Sequence, residues 1–530
     1  MKKPSGDTGK IARSAGIVSF AVMCSRVLGL IREQVFAAMF GAGMAYDAFV
    51  VAFRIPNLLR DLFGEGALSA AFVAVFSDYD ANKGEEATWK LASNVLVFFA
   101  VLLSLITLLG IFFAEPLVLL LVDNEFVQVP GKVELTRQLT MVMFPFLIFI
   151  SLSAVVMGAL NTKGRFFIPS MASSFFNMGS IVGGVSLALI LPTFGQPAIM
   201  GMAIGTLIGG CLQFCGQLPT LFKTGFVFRP FLDLRDPGLR RILKLMLPAV
   251  IGLSATQINI FINTRFASSC VEGSVSWLNY AFRLVQLPIG VFGVAISIAS
   301  LPLIAKYASV KNFSALREIY TSAMTMAFCL TIPASVGLYL LSAPIVAVIF
   351  ERGAFTALDT SRTAEALAFY SLGLFAYAAV KVMVPVFFAL NDTRCPVIAS
   401  FMAVFTNLVV IYFTIDLFQH RAIAFSLSCA MIINFFFLSA MLYKRLSGYS
   451  LSYLFSGLAK IILAAFVMGL WLKGLMIWTA GWFDQGILSQ IAGLVLLIGT
   501  SAALYGVILY FLRLRELDLL VEKFRQRLMG

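Results

Sequence analysis

Four arginines interrupt stretches that are otherwise apolar enough to cross a membrane. Arg26 and Arg32 lie in SRVLGLIREQVFAAMFGAG, and Arg54 and Arg60 lie in DAFVVAFRIPNLLRDLFGEGALSAAFVAVF, which also carries Asp61 and Glu65. An ionised side chain at the bilayer centre costs about 2.5–3.5 kcal/mol even on the lenient insertion scale. Four of them cost on the order of 10 kcal/mol, comparable to the stability of a whole domain. These side chains therefore face water or protein rather than lipid, and the arrangement reads as a hydrated, cationic cavity for an anion. Guanidinium never loses its charge and forks onto phosphate oxygens in pairs. Arg26 and Arg32 stand six residues apart, about 9 Å along a helix and off a common face, with Gly29 between them as a point of bending. Arg54 and Arg60 repeat that spacing around Pro56, which kinks the helix and frees a carbonyl. Arginines converging from the first, second and eighth apolar segments, the last carrying Arg283, suit a diphosphate better than a monovalent solute.

A structural reading competes at these positions. Arg54 suits snorkelling to the interface, and Asp47, Asp61 or Glu65 could pair with arginines simply to lock helices together. Glu33, beside Arg32, reads as an arginine's partner rather than a proton carrier. Lys381, inside the tenth segment, is either a second cavity cation or a snorkelling side chain. Gln257, Asn259, Asn263 and Asn407 read as hydrogen bonds between helices rather than cation ligands. Catalysis has little support: the single histidine, His420, falls in a predicted outer loop, and no acid–base cluster or phosphate-binding glycine loop is present. Cys211 and Cys215 share a helix face, a packing arrangement more than a metal site. The expectation is a transporter and not an enzyme, with no metal and no cofactor, driven by an ion gradient, the membrane potential or substrate concentration. The coupling ion is left open.

The elements that must position these residues are helices throughout. The 530 residues are 60% hydrophobic with mean hydropathy +0.94, and apolar runs of about 20 residues recur from end to end. The fold class is all-α: a polytopic membrane protein with fourteen transmembrane helices, near 15–39, 47–77, 91–113, 137–160, 166–191, 198–221, 242–266, 275–305, 320–342, 364–390, 396–415, 422–443, 457–478 and 486–511. The net charge of +13 sits mostly in alternate short loops, as membrane orientation requires, and argues for no nucleic-acid partner. With the basic loops inside, both termini are cytoplasmic. Lys2, Lys3, Lys10 and Arg13 precede the first apolar run without a small-residue cleavage site, so that run reads as a retained span.

An internal repeat organises the chain. Ala52-Phe53-Arg54, Leu58 and Phe63-Gly64 recur as Ala281-Phe282-Arg283, Leu287 and Phe292-Gly293. Ala159-Leu160-Asn161 with Asn177 recurs as Ala389-Leu390-Asn391 with Asn407, again about 230 residues on. Two six-helix lobes in pseudo-twofold relation follow: residues 1–222 as the N-lobe and 223–445 as the C-lobe. Residues 446–530 carry two further helices and a cytoplasmic tail. Duplicated bundles around a central site are a common alternating-access architecture.

At SRVLGLIRE, FGAGMAYDAFVVAFRIPNLLRDLFGEGALSAAFVAVF and SVSWLNYAFRLVQLPIGVFGVAI the chain closely resembles the MurJ/MviN family, bacterial lipid II flippases of the multidrug/oligosaccharidyl-lipid/polysaccharide exporter superfamily. The resemblance covers nearly the whole chain. It implies a V-shaped cavity between two lobes, with the last two helices forming a groove for the lipid tail. It also implies passage of the undecaprenyl-diphosphate-linked headgroup to the periplasmic side for peptidoglycan synthesis. By resemblance the substrate-binding residues are Arg26, Arg32, Arg60, Arg283, Asp47 and Ser276, with Glu33, Arg54 and Lys381 as secondary candidates. The implied partners are lipid II, membrane lipids and cell-wall synthesis proteins. The implied location is the bacterial inner membrane, as a monomer. Phe282 and Gln286 stand where some members carry acids, which leaves the gating partners of Arg283 open. The segment with amides only near 257–263 lacks the aspartate of a described sodium site, so sodium coupling does not transfer. The rivals are a flippase for another polyprenyl-diphosphate-linked oligosaccharide, a drug exporter of the same superfamily, a membrane enzyme with acidic metal ligands, and a scaffold for cell-wall enzymes.

Overall fold

A computed structural model describes residues 7–483 and 485–516, with the backbone alone for 7–20, 64–65 and 251. Lys2, Lys3, Lys523, Arg525 and Arg527 lie outside the described residues, as do the side chains of Lys10, Arg13 and Glu65. The described chain packs as two compact units, Met1–Gly273 and Ser274–Gly530.

The first unit contains α1 (Asp7–Phe40) and α2 (Met44–Arg60), then a π turn (Asp61–Gly66) that passes into α3 (Ala67–Asn82). After these come α4 (Glu85–Phe112), the short α5 (Ala114–Leu121) and α6 (Asn124–Gln128), then α7 (Lys132–Met143) and α8 (Phe146–Thr162). It closes with α9 (Phe167–Ile190), α10 (Ala198–Cys215), α11 (Leu218–Phe222) and α12 (Pro237–Ser268). Helix α12 starts on a cap in which the Asp236 carboxylate accepts from the Leu239 N–H at 2.8 Å, with Pro237 at the first helical position.

The second unit also opens on a helix that leads into a π turn. It runs α13 (Ser274–Pro288), a π turn (Ile289–Val294), α14 (Ala295–Ser309), α15 (Phe313–Leu340), the short α16 (Ser342–Phe350), α17 (Ala357–Ser371) and α18 (Leu374–Ala389). It ends with α19 (Arg394–Phe418), α20 (His420–Arg445), α21 (Leu451–Thr479) and α22 (Ile487–Phe511). The sequence repeat is thus a structural one. Each AFR triplet sits on a helix that gives way to a π turn at Asp61 or Ile289, and each turn contains the Phe-Gly pair. Such turns carry one residue too many for α register and concentrate at functional positions.

Lipid tails are as apolar as leucine, so close packing rather than expulsion of water holds the helices together. In α10, Gly201, Gly205 and Gly209 recur every fourth residue. A Cβ on Gly205 would lie 2.4 Å from the Gly184 Cα of α9, and one on Gly201 would lie 2.2 Å from the Ala188 N. Only glycine lets those two backbones approach so closely. In α4, Val95, Phe99 and Leu103 are fully buried at four-residue spacing and belong to the core that α3 and α8 share. The second unit's core joins α15, α18 and α20 to α21 and α22.

Among the described residues ten helices are long and apolar enough to cross a membrane, or twelve if each of two bent pairs is one span. The chain is an all-helical, multi-pass membrane protein. One placement expected from the sequence is corrected. His420 is not in a loop but is the first residue of α20 and fully buried, its Nε2 3.1 Å from the Arg362 carbonyl and its ring edge-on to Trp277. An imidazole is small and amphipathic enough to serve as a packed helix-end residue. The stretch read as one outer loop between the third and fourth spans likewise folds α5 and α6, and its Lys132 is buried.

Candidate functional site

Two of the first unit's arginines, Arg32 and Arg60, stand in ion pairs that a neighbouring helix steadies. On α1, Arg32 donates to the Glu33 carboxylate at 2.8 Å, and its guanidinium lies 5.2 Å from the Phe176 ring centroid on α9. The second Glu33 oxygen accepts from the Tyr46 hydroxyl of α2 at 3.0 Å, and Tyr46 packs its ring against Phe36 and Phe49. A buried carboxylate satisfied from two sides fixes the guanidinium it faces. One turn and a half earlier, Arg26 is half-buried and makes no hydrogen bond or ion pair among the described residues. The adjoining Ser25 carbonyl accepts from Asn177 of α9 at 3.2 Å.

Arg60 closes α2. Its Nε and Nη2 donate to one Asp61 oxygen at 3.1 and 2.7 Å, and the other Asp61 oxygen accepts from Gln257 of α12 at 3.3 Å. The π turn that begins at Asp61 needs Gly66, where a Cβ would lie 2.5 Å from the Asp61 carbonyl oxygen and 2.6 Å from Leu253. Arg54 is half-buried on α2.

Asp47 is tied to a lysine and a backbone amide. It is buried and accepts from Lys132 Nζ, at the start of α7, and from the Gly273 N–H, both at 2.9 Å. Lys132 is the residue that reading the sequence missed; an ion pair between positions 85 residues apart leaves no local pattern.

In the second unit Arg283 is half-buried on α13, ahead of Pro288 and the π turn. Ser276 is fully buried, and the neighbouring Trp277 donates its indole N–H to Asp359 at 2.9 Å. Phe282 packs against the Tyr370 ring, and Gln286 is exposed. Lys381 is exposed on α18 with no hydrogen bond or ion pair among the described residues. Asn407 accepts from the Ser426 hydroxyl at 2.7 Å, tying α19 to α20. No group of three histidine, cysteine or acidic side chains able to hold a metal occurs among the described residues.

These charged, broken helices occur in a chain whose residues 36–493 match the family model for the lipid II flippase MurJ. The chain belongs to the MurJ family. It is 36% identical over 430 residues to the probable lipid II flippase MurJ of Buchnera aphidicola subsp. Acyrthosiphon pisum, covering 81% of this chain and 83% of that protein. The probable lipid II flippase MurJ of Vibrio cholerae is 34% identical over 520 residues, 96% of this chain and 98% of its own. A solved lipid II flippase MurJ in an inward closed conformation superposes with TM-score 0.72 at 28% identity, covering 91% of this chain and 98% of that one. An inward-facing multidrug resistance MATE family transporter of the MOP superfamily superposes with TM-score 0.68 at 16% identity, over 82% of this chain and 99% of that chain, a likeness of fold alone. The MurJ/MviN resemblance carried by the arginine-rich helices is borne out. The MurJ family is a family of transporters, and its match spans α2 to α21 entire.

Proposed function

We propose that the chain carries lipid II from the cytoplasmic to the periplasmic leaflet of the bacterial inner membrane by alternating access, with guanidinium groups receiving the diphosphate. Family membership supplies the substrate, and one observation carries the mechanism: Arg26, on a helix that otherwise belongs in lipid, makes no ion pair among the described residues. Arg32 and Arg60 are each matched by a carboxylate, Glu33 and Asp61 respectively. A diphosphate brings an anion and can exchange with Glu33 or Asp61 for the forks they now occupy. Arg283, Ser276 and Asp47 are further candidates.

Helix α1, and α2 with its continuation α3, carry Arg26, Arg32 and Arg60 and are not among the twelve apolar spans. Counting both with the twelve gives fourteen spans with both termini cytoplasmic. In this reading the lobes are 1–222 and 223–445, followed by α21 and α22, which have no counterpart in the first unit and offer the polyprenyl tail an apolar surface. The chain works as a monomer without a catalytic step. The test is expression in a flippase-depleted strain. Growth with normal lipid II levels supports the reading; accumulation of lipid II despite a folded, membrane-inserted protein overturns it.

A further inference from the structure

Lys132 occupies a position that two rules disfavour. It is the first residue of α7, where the helix dipole repels a cation, and its side chain is only 3% exposed. Its ammonium is held by Asp47 at 2.9 Å and lies 4.4 Å from the Phe126 ring centroid. The Asp47 oxygen that takes this proton donor also accepts from the N–H of Gly273, the last residue of the first unit. Around it the same turn is fastened again. Glu272 accepts from the Met44 N–H at 3.0 Å, and Arg265 donates to the Val122 carbonyl at 2.6 Å and to Asp123 at 3.0 Å. A buried ion pair is a poor way to gain stability, since an apolar pair of similar volume does as well or better. What an apolar pair cannot do is hold a backbone N–H.

We propose that Lys132 is a positioning residue for transport: it fixes the Asp47 carboxylate on the Gly273 N–H and so clamps the turn from which the second unit begins. The inference rests on the flippase reading, and it assigns release and reseating of this turn to the transport cycle. Cys270 reports on the clamp, because it lies in the same turn and is buried. Burial pushes its thiol pKa up to about 12, leaving little thiolate at neutral pH while the turn is seated.

The test uses the full chain in membrane vesicles with the other cysteines replaced by serine, so that N-ethylmaleimide reads Cys270 alone. Two double variants are compared with this parent. Asp47→Lys with Lys132→Asp keeps the ion pair and places an acid at the helix start, but it points an ammonium at the Gly273 N–H, donor against donor. Asp47→Leu with Lys132→Met removes both charges and the acceptor. Both are expected to accumulate as folded protein, to label Cys270 about tenfold faster or more, and to fail to support growth of a flippase-depleted strain. Labelling at the parental rate with normal growth in either folded variant overturns the proposal. Failure of both to accumulate also overturns it, since the pair is then needed to build the unit. If the parent itself does not support growth, the flippase reading fails while the labelling rates still decide the clamp.

Discussion

Arg60 and Asp61 face each other across the boundary where α2 gives way to its π turn, with two guanidinium nitrogens on one carboxylate oxygen at 3.1 and 2.7 Å. The pair is about a quarter exposed on each side, so an incoming anion can reach the fork. Arg60→Ala is expected to abolish rescue of a flippase-depleted strain at unchanged protein abundance. Each charge-assisted hydrogen bond lost costs about 1.5–3 kcal/mol of binding. Arg60→Lys is expected to rescue poorly, because a single ammonium cannot replace the planar fork. Binding of lipid II to purified protein, measured for all three, checks this directly.

Arg26 makes no ion pair among the described residues. Arg26→Ala is therefore expected to raise thermal stability in detergent or leave it unchanged, because a half-buried charge is removed without breaking a described ion pair. The same change is expected to weaken diphosphate binding by about tenfold or more. A fall in stability equal to the loss of binding would mean that the residue is structural.

Gly66→Ala is expected to destabilise the protein by about 1–3 kcal/mol, because the new methyl group overlaps the Asp61 carbonyl oxygen and Leu253. Gly205→Leu is expected to be worse and to prevent accumulation, since it wedges two backbones apart. Thermal unfolding and membrane abundance give the order.

Asp78, at the far end of α3, is held below its ordinary value of 3.8 by hydrogen bonds from Arg241 and Asn82. A depressed carboxylate stabilises the fold above its unfolded pKa, and that contribution fades as pH falls through the depressed value. Anchoring of the start of α12 is expected to be unchanged from pH 7 to 5 and to loosen below about pH 4. Hydrogen exchange over residues 237–243 measures it, and Asp78→Asn should show the looser state at pH 7.

His420→Ala is expected to cost about 2 kcal/mol through the cavity left beside Trp277 and the lost contact with the Arg362 carbonyl. Rescue of growth in proportion to the remaining folded protein is the outcome that places His420 in packing and outside transport.

Much of this was legible because the signals are local. Pro56 and Pro288, each followed by a Phe-Gly pair, mark the two broken helices, and the repeated AFR triplets align them. Arginines in apolar runs announce themselves by their cost. His420 was misplaced because a charged-looking QHR stretch between two apolar runs has the composition of a loop, whereas the helix starts within it. Lys132 was invisible for a related reason. It falls between two expected spans, and only the folded chain brings Asp47 beside it. Partner choice was equally hidden: Asp61 takes Arg60 and Gln257, and Glu33 takes Arg32 and Tyr46, but nothing in their spacing distinguishes these from other pairings.

The two π turns carry one consequence for motion. Each holds one residue of slack inside a hydrogen-bonded rod, and such slack can travel along the rod by exchanging one carbonyl partner at a time. A shift past a single residue rotates the segment it crosses by about 100° around its own axis. A guanidinium beside such a defect can sweep from one side of its helix to the other without any span unwinding or sliding through the bilayer.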